Sequence, residues 1–218
     1  MDKRLIYQTC ALAALIALAG ALAQAAAVFS MQEGVQLQPS APLPPAEFML
    51  ASSQYAQTAL SFFTADTIFI LGYVIVFAGL FTVTAPRARI IALLAFGAGL
   101  LTGVLDHLEN SFFITYAQSY LAGVPVLEPA SPTLHLITQL KWTAAFTALL
   151  AYGLIFPREI WRERFILLLM LLFPLVGALG ISLPELVPVR GLFFLVGMPL
   201  FAFDFWMRSR AEPPGSAY

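Results

Sequence analysis

Apolar residues in this chain come in long, nearly continuous runs of about 18 to 25 residues, separated by short polar stretches. A run of this length matches the ~30 Å hydrocarbon core of a bilayer at about 1.5 Å of rise per helical residue. The runs do not alternate between apolar and polar positions, as the strands of a membrane barrel do. The pattern therefore predicts an all-α fold, a polytopic membrane helix bundle.

We expect a single transmembrane domain over residues 1–218 with six spans. They lie at about Leu5–Val28, Ala59–Val83, Ile90–Asn110, Leu134–Phe156, Phe165–Leu183 and Gly191–Met207. Two longer loops, residues 31–58 and 111–133, are expected on one side of the membrane. The first is rich in Pro and Gln, which is typical of irregular structure.

Basic residues give the expected orientation. They cluster before the first span, in the second and fourth connections, and after the last span: Lys3, Arg4, Arg87, Arg89, Arg158, Arg162, Arg164, Arg208 and Arg210. The opposite connections contain Arg190 alone. By the positive-inside rule, both termini are cytoplasmic, and the chain is expected to be a multi-pass protein of a bacterial inner membrane.

The first span has two interpretations. MDKR, an apolar stretch and ALAQAAA together resemble a secretory signal with a small-residue cleavage site. The apolar stretch reaches Val28, however, and is long enough to span a membrane. Cleavage would leave five spans with the later orientations unchanged, so the fate of this helix stays open.

Composition narrows the function classes. Hydrophobic residues make up 60% of the chain and charged residues 11%, against roughly 25% charged in soluble domains. A net charge of -1 argues against nucleic-acid binding. Because Cys10 is the one cysteine, an internal disulfide and a thiolate metal cluster are both excluded.

Ionisable residues inside the spans are the candidate functional residues, because a charge at the centre of a span costs at least ~2.5 kcal/mol. Asp66 and Lys141 each lie seven residues from the expected outer end of a span, roughly 10 Å deep. Asp106 lies roughly 6 Å below the same boundary, by the same arithmetic. Three neighbouring spans thus carry ionisable groups in one layer of the outer leaflet.

Helical spacing adds three residues to this candidate site. Asp106, Glu109 and Asn110 are spaced i, i+3 and i+4, so they share a helical face. Asp66 and Tyr73 are seven residues apart and share a face of the preceding span. We expect a polar cavity that opens outward, lined by these five residues and Lys141.

The charges in this layer do not balance. Three carboxyl groups face one obligate cation, Lys141, so a carboxyl is protonated, a histidine is charged, or a cation or amine is bound. One hypothesis is a pocket for a small or lipid-like ligand, in which Lys141 holds an anionic group and Asp106, Glu109 and Asn110 orient the ligand. The alternatives are a structural or accessory subunit whose buried charges only fix helix packing, and an intramembrane lipid-modifying enzyme.

Other kinds of site have weaker support in the sequence. His107 and His135 are candidates for a haem site, although their spacing is not a known haem-pair signature. A metal site would use Asp106, Glu109 and His135. No HExxH, GxSxG, P-loop or GxGxxG pattern occurs. No catalytic residue or cofactor is therefore assigned. The expected partners are the bilayer and a lipid or small-molecule ligand, with a homo-oligomer or a larger membrane complex left open.

Three short patterns resemble a group of uncharacterised bacterial inner-membrane proteins. They are ADTIFILGY in the second span, DHLEN in the third and LKW in the fourth. The group is similar in having an Asp in an early helix, a D-x-x-E-N stretch in the next and a Lys in the one after. The resemblance covers about the middle half of the chain. It implies that Asp66, Asp106, Glu109, Asn110 and Lys141 matter, but it implies no particular activity.

Overall fold

Six long helices make up the fold in the computed structural model, which describes residues 2–29, 55–124, 131–186 and 189–213. No β-strand occurs in those ranges. In chain order the helices are α1 (Lys3–Phe29), α2 (Ala56–Thr84), α3 (Arg89–Leu121), α4 (Ser131–Ile155), α5 (Trp161–Ser182) and α6 (Val189–Ala211), with one turn of 3₁₀ helix at Pro184–Leu186. The predicted fold class, an all-α membrane helix bundle, is confirmed.

Five of these helices, all but α4, are long and apolar enough to cross a membrane. The surface of the bundle agrees with this, because large aliphatic side chains such as Leu94 (68% exposed) and Leu154 (68% exposed) point outward. Helix α4 has 25 residues, enough to span, but its polar residues lower its hydropathy. It packs between α3 and α5, and its one charged side chain, Lys141, is buried.

The helix bounds correct one part of the predicted loops. Residues 111–121 were expected in a loop, but they continue α3 as far as Leu121. This stretch has no Pro or Gly to end the helix, and Phe113 stacks on Phe63 of α2 with ring centroids 4.7 Å apart. Residues 131–133 likewise belong to α4, and 56–58 to α2. Most of the predicted loop 31–58, and residues 125–130, lie outside the described residues.

The helices form a closed ring. Each helix packs on its neighbours in the chain, and α1 also packs on α6. One end of the ring carries the clusters of basic residues where α1, α3 and α5 begin, and we call it the arginine-rich end. At the opposite end, Arg190 is the one basic residue of the described chain. Neighbouring helices are antiparallel. Between α3 and α4, for example, Lys141 contacts Asp106, whereas the earlier residue Thr138 contacts the later residue Glu109.

Helix α1 is closely packed into the ring. A Cβ atom added to Gly20 of α1 would lie 2.8 Å from the backbone nitrogen of Phe69 in α2, so the two backbones nearly touch. The ring of Tyr7 stacks on Phe205 of α6 with centroids 6.3 Å apart. The Cys10 thiol is 2% exposed and donates a hydrogen bond of 3.5 Å to the carbonyl oxygen of Ile75.

Candidate functional site

A buried ion-pair network joins α3 to α4. The Lys141 ammonium donates to Oδ1 of Asp106 at 2.8 Å and also to Oε2 of Glu109. Lys141 is 5% exposed and Glu109 1% exposed. Both carboxylates come from one face of α3, because the i, i+3 spacing puts them one above the other. One ammonium on α4 is therefore held by two carboxylates on α3.

Two hydroxyl groups complete this network. The Tyr73 hydroxyl of α2 donates to Oδ2 of Asp106 at 2.9 Å, which connects a third helix. The Thr138 hydroxyl of α4 donates to Oε1 of Glu109, so this carboxylate is bound by α4 through two residues one turn apart. The network contains two carboxylates and one ammonium and is therefore net negative if both carboxylates are ionised.

A cavity of about 930 Å³ lies next to the network, inside the ring of helices. All six helices line it, and its volume is near the upper end of the ~300–1,000 Å³ common for small-molecule pockets. Aromatic side chains supply much of its wall: Phe62, Phe69, Tyr73, Phe77, Trp142, Phe173, Phe193, Phe194 and Phe201. The polar residues on its wall include Gln24, Asp66, Thr102, Asp106, His135, Thr138, Gln139, Lys141 and Arg190.

Buried polar atoms without a partner are concentrated at this cavity. In the described part of the chain such atoms belong to four residues: Gln24 (Nε2), Asp66 (Oδ2), Asn110 (both amide atoms) and Arg190 (Nε). Gln24, Asp66 and Arg190 line the cavity, and the Asn110 amide lies beside the Asp66 carboxyl outside ordinary hydrogen-bond geometry. Buried polar groups normally have partners, so their clustering here is typical of a site that presents them to a ligand.

Arg190 is a cavity residue that sequence analysis did not identify as part of the site. Sequence analysis placed it in a loop, as the one exception to the distribution of basic residues. It belongs to α6, and its guanidinium donates to the carbonyl oxygen of Gly177 at 3.2 Å and lies 4.8 Å from the centre of the Trp142 ring. The Lys141 ammonium lies 5.4 Å from the same ring centre. The sequence did contain one signal for Arg190: it is the one basic residue in the connections on the side opposite the other basic clusters.

The predicted site residues divide into two groups. Asp66, Tyr73, Asp106 and Lys141 line the cavity, as expected from their depth and spacing. Glu109 and Asn110 do not line it; each is 1% exposed and lies behind this wall. Glu109 is connected to the cavity wall through Lys141 and Thr138, and Asn110 lies next to Asp66.

Of the two histidines, His135 alone lines the cavity. His135 lines the cavity, and its Nε2 lies 3.5 Å from Nε2 of Gln139, whereas His107 is half-buried outside the lining. Across the described residues, no group of three or more His, Cys, Asp or Glu side chains is arranged to hold a metal ion.

A second cluster of charges lies at the arginine-rich end. Asp204 accepts hydrogen bonds from Arg208 one turn later at 2.6 Å and from Arg162 of α5 at 2.8 Å. Arg208 also donates to Glu163 at 2.8 Å, and Glu163 in turn accepts from the backbone N–H of Glu159 at 2.9 Å. Since every charge in it is paired, this cluster fastens α5 to α6.

The chain was compared with known protein families, with curated proteins and with solved structures, and none of them matches it.

Proposed function

We propose that this chain is a multi-pass protein of a bacterial inner membrane whose six-helix ring encloses a binding cavity for a small amphipathic, lipid-like molecule. One observation carries the proposal. Three helices each bring a buried polar atom that has no partner within the described ranges to one largely aromatic cavity: they belong to Gln24 of α1, Asp66 of α2 and Arg190 of α6. Leaving a buried polar group unpaired costs ~1–3 kcal/mol, and a ligand that bonds to all three would remove that cost.

The proposal includes the place of every helix in the membrane. Helix α4 crosses the membrane as well, in addition to the other five helices, because its charged side chain is neutralised within the bundle. The arginine-rich end is cytoplasmic, which puts both termini in the cytoplasm. Helix α1 is retained rather than cleaved, since it supplies Gln24 to the cavity and packs on both α2 and α6. An intact-mass measurement lacking residues 3–29 would rule out retention.

The contacts of Lys141 change the role suggested for it. The sequence suggested that this ammonium holds an anionic group of the ligand. In the structure it already donates to Asp106 and Glu109, and two carboxylates around one ammonium repel a further anion. We propose instead that Lys141 holds the cavity wall in place and that the ligand bonds to Asp66, Gln24 and Arg190.

Native mass spectrometry of the gently extracted protein tests the proposal. The wild type is expected to carry one additional mass in stoichiometric amount. Gly191→Trp should remove that mass, because Gly191 lines the cavity and a Cβ there meets no atom within 4 Å. Gly97→Trp is the matched control, since Gly97 also has open space around its Cβ but does not line the cavity.

The opposite result would favour the structural alternative. Asp106, Glu109 and Lys141 join α3 to α4 whether or not a ligand binds, so buried charges that only fix helix packing would give the same network. An empty wild type, or an additional mass that survives Gly191→Trp, would contradict a ligand in this cavity.

A further inference from the structure

The charges on the cavity wall specify the chemistry of the ligand. We infer that it is a zwitterionic amphiphile, with an ammonium group at Asp66, an anionic group at Arg190 and an apolar chain along the aromatic wall. This inference rests on the proposed function, because it requires that the cavity binds a ligand. It assigns a ligand class from two buried atoms, Oδ2 of Asp66 and Nε of Arg190, that have no hydrogen-bond partner in the described part of the chain.

Asp66 provides the cation-binding half. Its carboxyl is 6% exposed, lines the cavity and has an oxygen, Oδ2, without a partner in the described chain. Asp106, Glu109 and Lys141 all interact electrostatically with it, and these three groups together carry more acid than base. A second cation beside Asp66 would therefore offset part of the excess negative charge of this wall, and a ligand ammonium can supply it together with hydrogen-bond donors.

Aromatic rings next to Asp66 favour an organic cation. Phe62, Phe69 and Tyr73 lie four residues before, three after and seven after Asp66, so all share its face of α2 and line the cavity. The faces of aromatic rings attract ammonium groups within ~6 Å. A carboxylate surrounded by rings suits an alkylammonium better than a hard metal ion, which needs several oxygen ligands.

Arg190 provides the anion-binding half. Its guanidinium has no carboxylate partner in the described part of the chain, and its Nε is buried without an acceptor. One of its nitrogens donates to the Gly177 carbonyl and its carbon lies over Trp142, so packing holds the side chain in place. Arginine binds phosphate and carboxylate through two parallel N–H donors, and Nε can supply one of them.

The two halves lie at about the same depth in the ring. Helices α2 and α6 run in the same direction, and Phe69 meets Phe194 with ring centroids 5.1 Å apart. Asp66 precedes Phe69 by three residues and Arg190 precedes Phe194 by four, toward the same end of the bundle. Gln24 belongs to α1, which packs between α2 and α6. The carboxyl of Asp66, the neutral amide of Gln24 and the guanidinium of Arg190 therefore lie on three adjacent helices, α2, α1 and α6.

The aromatic wall accounts for the apolar part of the ligand. Ring contacts run from Tyr73 to Phe69, Phe194, Phe173 and Trp142, with centroid distances of 5.2, 5.1, 5.4 and 6.2 Å. Toward the arginine-rich end, the lining of the cavity continues through aliphatic residues such as Leu80 and Leu149. A free amino acid or headgroup would leave this surface and most of the 930 Å³ without contacts.

A titration of four probes by native mass spectrometry, in a neutral maltoside detergent, tests this inference on the full-length protein. The probes are lysophosphatidylethanolamine (ammonium and phosphate), lysophosphatidylglycerol (phosphate only), hexadecyltrimethylammonium (cation only) and glycerophosphoethanolamine (no acyl chain). We expect lysophosphatidylethanolamine to bind at least ten-fold more tightly than each of the other three. Two single variants, Asp66→Asn and Arg190→Gln, should each remove this preference, and Arg89→Gln, at an exposed arginine of the other end, should keep it.

The variants should also differ from each other. Asp66→Asn should favour the phosphate-only probe, and Arg190→Gln the cation-only probe. Equal binding of all three long-chain probes to the wild type would overturn the zwitterion inference while leaving the binding cavity in place. Equally tight binding of glycerophosphoethanolamine would overturn the amphiphile part. Binding of no probe would contradict both the inference and the proposed function. Because the ranking is measured on the wild type, a variant that fails to fold does not remove the test.

Discussion

Lys141 is the residue whose loss should cost most. Lys141→Met would leave Asp106 and Glu109, 7% and 1% exposed, without a cation between them. Removing one partner of a buried ion pair typically costs ~3–5 kcal/mol. We therefore expect a large fall in the thermal unfolding midpoint in detergent. Thr143→Val, an exposed position on the same helix, should leave the midpoint nearly unchanged.

The same network predicts a rescue. In the double variant Lys141→Met and Glu109→Gln, one of the two stranded carboxylates becomes neutral, so part of the lost stability should return. A double variant that is as unstable as Lys141→Met alone would show that Glu109 is not the group that Lys141 neutralises.

Two buried tyrosines offer a comparison of hydrogen-bond strength. The Tyr73 hydroxyl donates to the Asp106 carboxylate and the Tyr152 hydroxyl to the Phe77 carbonyl oxygen, both at 2.9 Å. Hydrogen bonds to charged groups are worth ~1.5–3 kcal/mol and neutral ones roughly 0.5–1.5. Tyr73→Phe should therefore lower the unfolding midpoint more than Tyr152→Phe. Equal losses would contradict a stronger hydrogen bond at Tyr73 than at Tyr152.

At the scale of single residues, the sequence predicted some of the residues that line the cavity. Depth and spacing identified Asp66, Tyr73, Asp106 and Lys141, because a charge inside an apolar run is visible in the sequence alone. Gln24 and Arg190 could not be identified in the same way. An amide has no charge to draw attention to it, and an arginine two residues into a helix looks like a loop residue until the rotation of that helix is known.

At the scale of the helices, the apolar runs predicted number and order, while the ends depended on tertiary contacts. Helix α3 continues to Leu121 because its last turns pack on α2, as the Phe63–Phe113 stacking shows. The polar residues of that segment gave no sign of this contact. Helix α4 shows the reverse case: it belongs in the bundle although its hydropathy is low, since Lys141 and Thr138 bond to carboxylates of α3 inside the bundle.

The contact between α1 and α2 gives a prediction for this scale. A methyl group added by Gly20→Ala would lie 2.8 Å from the backbone nitrogen of Phe69 and 2.9 Å from the carbonyl oxygen of Ala65, neither of which can move alone. Overpacking of this kind costs ~1–3 kcal/mol. Gly97→Ala in α3 is the control: its Cβ meets nothing within 4 Å, and alanine should be neutral or stabilising there. A Gly20→Ala protein as stable as the wild type would mean that α1 is not seated as described.

At the scale of the whole molecule, the charged residues in the middle of the helices are buried and many large aliphatic side chains face outward, as a bilayer requires. Basic residues at one end predict its direction. A fluorescent protein fused after the last residue should be bright, and a periplasm-dependent phosphatase fused there should be inactive. The reverse pair of results would show that the bundle has the opposite orientation, with Asp66 and Arg190 toward the cytoplasm.

Helix α1 closes the ring by packing on both α2 and α6. Cys10, the one cysteine of the chain, lies on α1 where it contacts α2. Cys10 is 2% exposed between α1 and α2, so a water-soluble alkylating reagent can reach it only when α1 separates from its neighbours. No other cysteine competes for the reagent. At a large excess of reagent, the alkylation rate of the unmodified protein therefore measures how often the ring opens at this seam, without an introduced probe.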